Sequence, residues 1–392
     1  MTKKQTIYLD YASTTPIDPV VQRYFGEKYS IFGNPGSTHS IGQEASRLIF
    51  ESRRKLSDML GVNYEEIIYT SGATEANNLA LRGAVKKYSY QKKERPRVIV
   101  SDIEHESILE TARDMEREGL IDLKIIPVKN DGVIDISQLK NLITKETAVV
   151  SIMYANNEIG TIEPVREISK LITGFRKKND FPLFHTDAVQ GFQFNPEILK
   201  ECGADMITLS SHKIYGPKGI GALVVKKNNG KEIIKPILTG GGQEFGMRSG
   251  TENIIGILGF GKAAEISHKK SKSESARLSK LRNKLWAGIK KIEKKAEING
   301  DLKKSLPNFL NVYIPFIKSE EMLIQLDRRG IISSAGSACS TRSMKPSHVL
   351  KAIGLPKEKA EKSIRFTLGR QTTESDIKKT LKALTDIKKV TN

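Results

Sequence analysis

The stretch EIIYTSGATEANNLALRGAVKKYSYQKKERPRVIVSDIEHESILETARDMERE, residues 66–118, decides the fold. Glu66–Thr70 is a short run of β-branched and aromatic residues, and Glu75–Lys87 follows with apolar residues at three- and four-residue steps. The pair recurs as Arg97–Ser101 and Ser107–Glu118. The first kind of run reads as strand and the second as helix. Working outward, further strand candidates are Leu123–Val128, Ala148–Tyr154, Pro182–His185, Met206–Leu209 and Gly221–Lys226. Strands separated by helical stretches predict an α/β fold with a largely parallel sheet covered on both faces. From about Ile255 to Lys294 the pattern turns long, charged and helical, with Leu278, Leu281, Leu285 and Ile289 on one stripe. That predicts a connecting helix into a second, smaller domain. Strand-like NFLNVYIP, a helix around Glu320–Arg329, a Gly/Ser-rich loop at Ser333–Ser343 and terminal helical segments complete the chain.

Composition narrows the function classes. At 392 residues the chain suits one large and one smaller domain. No apolar run reaches the roughly 18 residues of a membrane span. The start, MTKKQTIYLDYAST, lacks the apolar stretch and cleavage site of a secretory signal, so a cytoplasmic location is expected. The formal charge of +19 raises nucleic-acid binding as a question. The lysines, however, are scattered in ones and twos, such as Lys86-Lys87 and Lys269-Lys270, with no basic block interleaved with aromatics. That pattern reads as solvated surface and leaves room for an acidic protein partner. The two cysteines, Cys202 and Cys339, support neither a disulfide framework nor a zinc site, since no C-x-x-C pair occurs. A single reactive thiol is the remaining possibility.

In open α/β sheets ligands gather at the carboxyl ends of the strands. Those ends carry Ser71-Gly72-Ala73-Thr74, Glu104-His105, Asn156-Asn157, His185-Thr186-Asp187 and Ser210-Ser211-His212-Lys213. Five polar ends in succession would converge on one crevice. The first runs from strand into helix through small residues, which suits an anion at a helix start, or equally a plain cap by Ser71 or Thr74 supported by Glu75. It has neither the Walker lysine nor G-x-G-x-x-G spacing, which counts against nucleotide triphosphates and dinucleotides.

Asp187 ends a strand, where it could cap the next segment or pair with a pyridinium nitrogen and keep an electron-accepting ring protonated. Gln190 would reach the same ring, whereas His185 is better read as a packed strand histidine. A lysine in a turn is ordinarily a surface residue. Lys213, between an apolar strand and the Gly/Pro-rich YGPKGIG, suits a Schiff-base lysine, with Ser210 and His212 placed to hold a phosphate. Cys339 lies among small residues in SSAGSACSTRSM, near Arg342 and Lys345, where positive charge favours thiolate. Cys202, in LKECGADMI, fits a buried structural cysteine.

These residues carry a resemblance. YLDYASTTP, FGNPGSTH, TSGATEANN, NNEIGTI, HTDAVQ, SSHKIYGPKGIGAL, GGGQEFGMRSGTEN, SAGSACS and SIRFTLGR stand in the order found in cysteine desulfurases of the NifS/IscS type. The chain resembles that group, which belongs to class V of the fold-type I pyridoxal-phosphate enzymes. The resemblance implies a large domain, residues 15–258, with a mostly parallel seven-stranded sheet flanked by helices. Residues 1–14 and 259–392 would form a smaller α+β domain carrying the catalytic cysteine loop. It implies that Lys213 binds pyridoxal 5'-phosphate, that His105 stacks on its ring, and that Asp187 and Gln190 meet the ring nitrogen and phenolic oxygen. Ala73, Thr74, Ser210 and His212 would hold the phosphate, with Thr251 reaching across from a second subunit of a homodimer. Asn157 would touch cofactor and substrate, and Arg365 would take the carboxylate of L-cysteine. Cys339 would carry the sulfur as a persulfide, leaving L-alanine, and pass it to an acceptor such as an iron–sulfur scaffold or a tRNA-thiolation relay. The GSAC pattern and the loop to Pro346 resemble the branch with the longer catalytic loop. The chain stops soon after Leu381, without the longer tail of some members, which bears on scaffold docking. Two other readings stay open: a class V aminotransferase or lyase with no need of Cys339, and an inert basic binding protein.

Overall fold

The computed structural model describes residues 6–177, 180–196, 202–228, 230–336 and 347–391. Its strands are β1 (Ile7–Tyr8), β2 (Ile67–Thr70), β3 (Arg97–Ser101), β4 (Asp122–Ile126), β5 (Thr147–Ser151), β6 (Leu183–Asp187), β7 (Met206–Ser210), β8 (Gly221–Val225), β9 (Glu297–Ile298), β10 (Phe309–Tyr313), β11 (Ile331–Ile332) and β12 (Ser363–Thr367). Strands β2–β8 are the seven expected from the sequence, and they form one sheet in the order β2-β8-β7-β6-β5-β3-β4. All run in one direction except β8, which is antiparallel to both of its neighbours. The central strands β5, β6 and β7 are buried along their whole length, as parallel strands covered on both faces must be.

Two apolar cores cover the two faces. One gathers Leu56, Ile99, Val150, Phe184, Ile207 and Phe260, and the other gathers Leu79, Val98, Val100, Ile108, Leu183 and Met206. The alternation Val98/Ile99/Val100 shows the period of two, with Ile99 on one face and its neighbours on the other. Helix Ala73–Gln91 packs across the second face against β5, β7 and β8 and also touches helix Glu106–Arg117.

The connecting helix is Ile254–Ile292, and the stripe Leu278, Leu281, Leu285 and Ile289 is buried as its spacing requires. With Ile7, Leu9, Leu310, Phe366 and Leu384 it forms a third core. That core covers the small sheet β12-β10-β9. One element departs from the expected terminal helices. Residues 363–367 form β12, antiparallel to β10, between the short helix Lys357–Glu361 and the long helix Glu374–Thr391. SIRFT is β-branched and aromatic at alternate positions, a strand signal that the flanking charged helices obscure.

Leu285 is fully buried in the third core. Leu285→Ala should destabilise the protein by about 2–5 kcal/mol through lost burial and the cavity left behind, read as a lower chemical-unfolding midpoint.

Candidate active site

Beyond the carboxyl ends of the parallel strands lies a cavity of about 440 Å³. The turn Ser211–Lys213 follows β7 directly, and Lys213 lines this cavity. Its Nζ donates to the carbonyls of Ala12 and Ser13, each at 2.6 Å. Both carbonyls belong to the segment after β1, which thereby packs against the end of the large sheet. Gln190 Nε2 donates to the same Ala12 carbonyl at 3.1 Å. His212 pairs through Nδ1 with Thr14 Oγ1 at 3.0 Å, and burial, with Lys213 beside it, pushes its pKa down to about 4.

Asp187 ends β6, buried, and caps the segment that follows. Its Oδ1 accepts the Val189 N–H at 3.0 Å, and its Oδ2 accepts Asn77 Nδ2 at 2.8 Å. The residue also lines the cavity. His105 caps helix Glu106–Arg117, and its Nδ1 accepts the Ser107 N–H at 3.1 Å. Burial lowers the His105 pKa, with Asp187 opposing that shift and Lys213 reinforcing it.

Helix Ala73–Gln91 begins at Gly72, and no side chain among the described residues caps it. Neither Ser71 nor Thr74 takes the cap. Glu75 instead accepts the Ser71 N–H at 2.8 Å and pairs with Arg248 at 2.8 Å. The turn is tight: a Cβ on Gly221 would lie 2.8 Å from the Gly72 carbonyl carbon, so this approach needs glycine.

Arg365 rises from β12 and is 1% exposed. Its Nη1 donates to the Asn157 carbonyl at 2.7 Å, and its Nη2 to Asp10 Oδ1 at 2.7 Å and Ser13 Oγ at 3.0 Å. Both Asn157 and Arg365 line the cavity.

Not every strand-end residue joins them. Glu104 is wholly buried, with Oε1 accepting Ser101 Oγ at 2.6 Å and Met153 N at 2.8 Å, and burial raises its pKa well above the carboxylate range. Asn156 braces the following turn through the Glu158 and Ile159 amides at 2.8 and 2.9 Å. His185 sits between Ser151 Oγ at 2.8 Å and Thr208 Oγ1 at 3.0 Å, the packed strand histidine expected. Thr251 is exposed and lines a second cavity of about 240 Å³, which meets the first at Ser71, Gly219 and Ile220. Cys202 is buried in the core, and burial raises its thiol pKa. Cys339 lies outside the described residues. The described residues on either side of residues 337–346 are anchored near the cavity: Ser334 pairs with Arg365, and Ser347 Oγ donates to Glu158 Oε2 beside Asn157. Sequence reasoning assigned no role to Ala12, Ser13, Asp10, Asn77 or Ser107. The first three sit in the YLDYASTTP motif, which was the available signal.

The cavity suits a group with a phosphate and an amino acid carrying a carboxylate. Ser210 Oγ and Arg365 Nε are buried polar atoms without a hydrogen-bond partner among the described residues. The uncapped helix start at Gly72 faces the same space. An oxyanion on each would satisfy these donors.

Residues 7–380 match the model of the Aminotransferase class-V family. The chain therefore belongs to the class-V aminotransferase family of pyridoxal-phosphate enzymes. Within that class it belongs with the IscS cysteine desulfurases: it is 42% identical to "Cysteine desulfurase IscS" of Dictyoglomus turgidum over 97% of this chain and 94% of that protein. A solved NifS-like protein superposes with a TM-score of 0.89 at 35% identity, covering 98% of this chain and 99% of that one. A structure titled "SspA in complex with cysteine" gives 0.79 at 33% identity, covering 93% and 99%.

Burial pushes the His185 pKa from its ordinary 6.5 to about 3. The folded state thus keeps His185 neutral while the unfolded chain takes up a proton as pH falls through 6.5, so stability declines as pH drops toward 3. Denaturant midpoints should fall between about pH 7 and about pH 5, and His185→Gln should flatten that slope even if it lowers the midpoint throughout. An unchanged slope would refute this assignment.

Proposed function

We propose that this protein is a pyridoxal-phosphate-dependent cysteine desulfurase that transfers the sulfur of L-cysteine to the Cys339 thiol, leaving a persulfide and L-alanine. The observation that carries the reading is the convergence of Lys213, His105, Asp187 and Arg365 on one cavity, in a chain of the IscS group. When bound, the cofactor supplies an electron sink conjugated to the substrate α-carbon. Lys213 would hold the cofactor and would take the proton from the substrate α-carbon. Asp187 keeps the ring nitrogen protonated, and Gln190 meets the phenolic oxygen. His105, which lines the same cavity, would stack on the ring and move protons there. Ala73, Thr74, Ser210 and His212 orient the phosphate, with Thr251 supplied from the second subunit of a homodimer. Arg365, held rigid by Asp10, Ser13 and Asn157, orients the substrate carboxylate. Cys339 attacks the substrate sulfur: an S–S bond forms, the C–S bond breaks, and a proton completes the methyl group of alanine.

The large unit of the fold, residues 15–258, would hold the cofactor, and residues 1–14 with 259–392 the cysteine. A cytoplasmic site of action fits a chain in which no helix among the described residues is long and apolar enough to cross a membrane. The acceptor would be an iron–sulfur scaffold, with a tRNA-thiolation relay as a second route.

Intact-protein mass spectrometry after brief exposure to L-cysteine tests the proposal. One added sulfur atom should map to Cys339 and be absent in Lys213→Ala. Cys339→Ala should keep the cofactor absorbance and stop release of sulfide and alanine. Undiminished turnover in that variant would favour a class V enzyme that does not use the thiol.

A further inference from the structure

Asn77 and Ser107 belong to no part of the machinery described so far, yet they stand between two of its members. Asn77 is wholly buried on helix Ala73–Gln91, and Ser107 is buried in the first turn of helix Glu106–Arg117. Asn77 Nδ2 donates to Asp187 Oδ2 and to Ser107 Oγ, each at 2.8 Å. Ser107 Oγ lies 2.8 Å from His105 Nδ1. One amide nitrogen carries two hydrogens, and both have an acceptor. Turning the amide over would set its oxygen against the Asp187 carboxylate, so the orientation is determined. Asn77 Oδ1 is then buried without a partner among the described residues. A buried unpaired carbonyl is costly, and the two bonds that the amide nitrogen makes offset that cost.

We propose that Asn77 and Ser107 are positioning residues that fix the imidazole of His105 as its neutral Nε2–H tautomer and tie it to Asp187. The order of donors carries the inference. The Asn77 amide occupies a lone pair of Ser107 Oγ, which turns the hydroxyl hydrogen toward His105 Nδ1. The Ser107 backbone N–H already points at that nitrogen from 3.1 Å. A nitrogen facing two donors is an acceptor, so the ring proton sits on Nε2. The same amide nitrogen donates to Asp187 Oδ2. One chain of three hydrogen bonds thus joins Asp187 to His105. It rests on the reading above that His105 lies against the cofactor ring.

The charged and titratable groups around His105 are Asp187 from β6, Lys213 from the turn after β7, Glu106 on its own helix and His348 from helix His348–Ala352. The three variants below leave these groups in place. The cofactor-loaded protein, labelled with nitrogen-15 at its six histidines, is titrated by NMR, and the cofactor-free protein beside it. Wild-type His105 should show a neutral ring with the proton on Nε2. Ser107→Ala and Asn77→Leu should each raise its pKa, because a donor that favours the neutral ring is lost. Ser107→Thr should restore the wild-type value. The acid limb of the kcat/KM profile should move upward with the pKa, and turnover should fall about fivefold to tenfold for the loss of one hydrogen bond. A wild-type His105 with its proton on Nδ1, or a titration unmoved in both variants, would overturn the proposal. Because the tautomer is read with and without cofactor, a failure of the catalytic reading would appear separately, as an NMR shift with an unchanged pH profile.

Discussion

The rest of the site depends on how one buried cation is held. Arg365 is almost wholly withdrawn from water, and an unpaired guanidinium there would be prohibitive. It is paired by two chain segments far from its own strand in sequence: Asp10 and Ser13 near the start, and Asn157 beyond β5. Removing Asp10 would leave the charge uncompensated, and with the neutral acceptors the guanidinium ties the small sheet, the N-terminal segment and the end of the large sheet together. Lys213 repeats the device from the other side, through the carbonyls of Ala12 and Ser13. Residues 10–13 are therefore the hub on which both cations close. Their stiffness is what makes the remaining directions of Arg365 available to a ligand at fixed geometry.

Most of this was legible in the sequence, for a physical reason. Apart from the edge strand β4, the strands of the large sheet are buried on both faces, so their apolar runs are nearly continuous and bounded by polar ends. The connecting helix buries one stripe over about three of its turns, and Leu278, Leu281, Leu285 and Ile289 mark it. Strand β12 escaped because it is five residues long between charged helices, and only its pairing with β10 makes it a strand. The strand ends were legible as a set, but not in which way each side chain turns. His185 and Asp187 stand two apart and share a face of β6, so position along the strand divides them: His185 lies within the sheet packing while Asp187, at the strand's last position, reaches the cavity. Glu104 and His105 divide across a turn. Asn77 left no signal at all. A polar residue in a helix is ordinarily solvated, and only the tertiary contact of two helices brings its amide between Ser107 and Asp187.

The electrostatics of the cavity are separate from the charge of the chain as a whole. Many surface lysines are engaged locally, as Lys227 is with Glu65 and Lys304 with Asp131, and such exposed pairs hold little energy. Within the cavity the balance is set by burial. It keeps His105 and His212 neutral, so neither adds a positive charge at neutral pH. Lys213, Arg365 and the uncapped helix start then provide the positive field, with Asp187 the carboxylate at the end of β6. A site so arranged would favour a compact anion at the helix start and a carboxylate at the arginine, with the Asp187 side chain lining the same cavity. A polyanion needs an extended basic face, whereas this field is confined to a cavity of about 440 Å³. Confinement is what turns an ordinary set of polar side chains into a site that selects a small amino acid and the cofactor on which its chemistry depends.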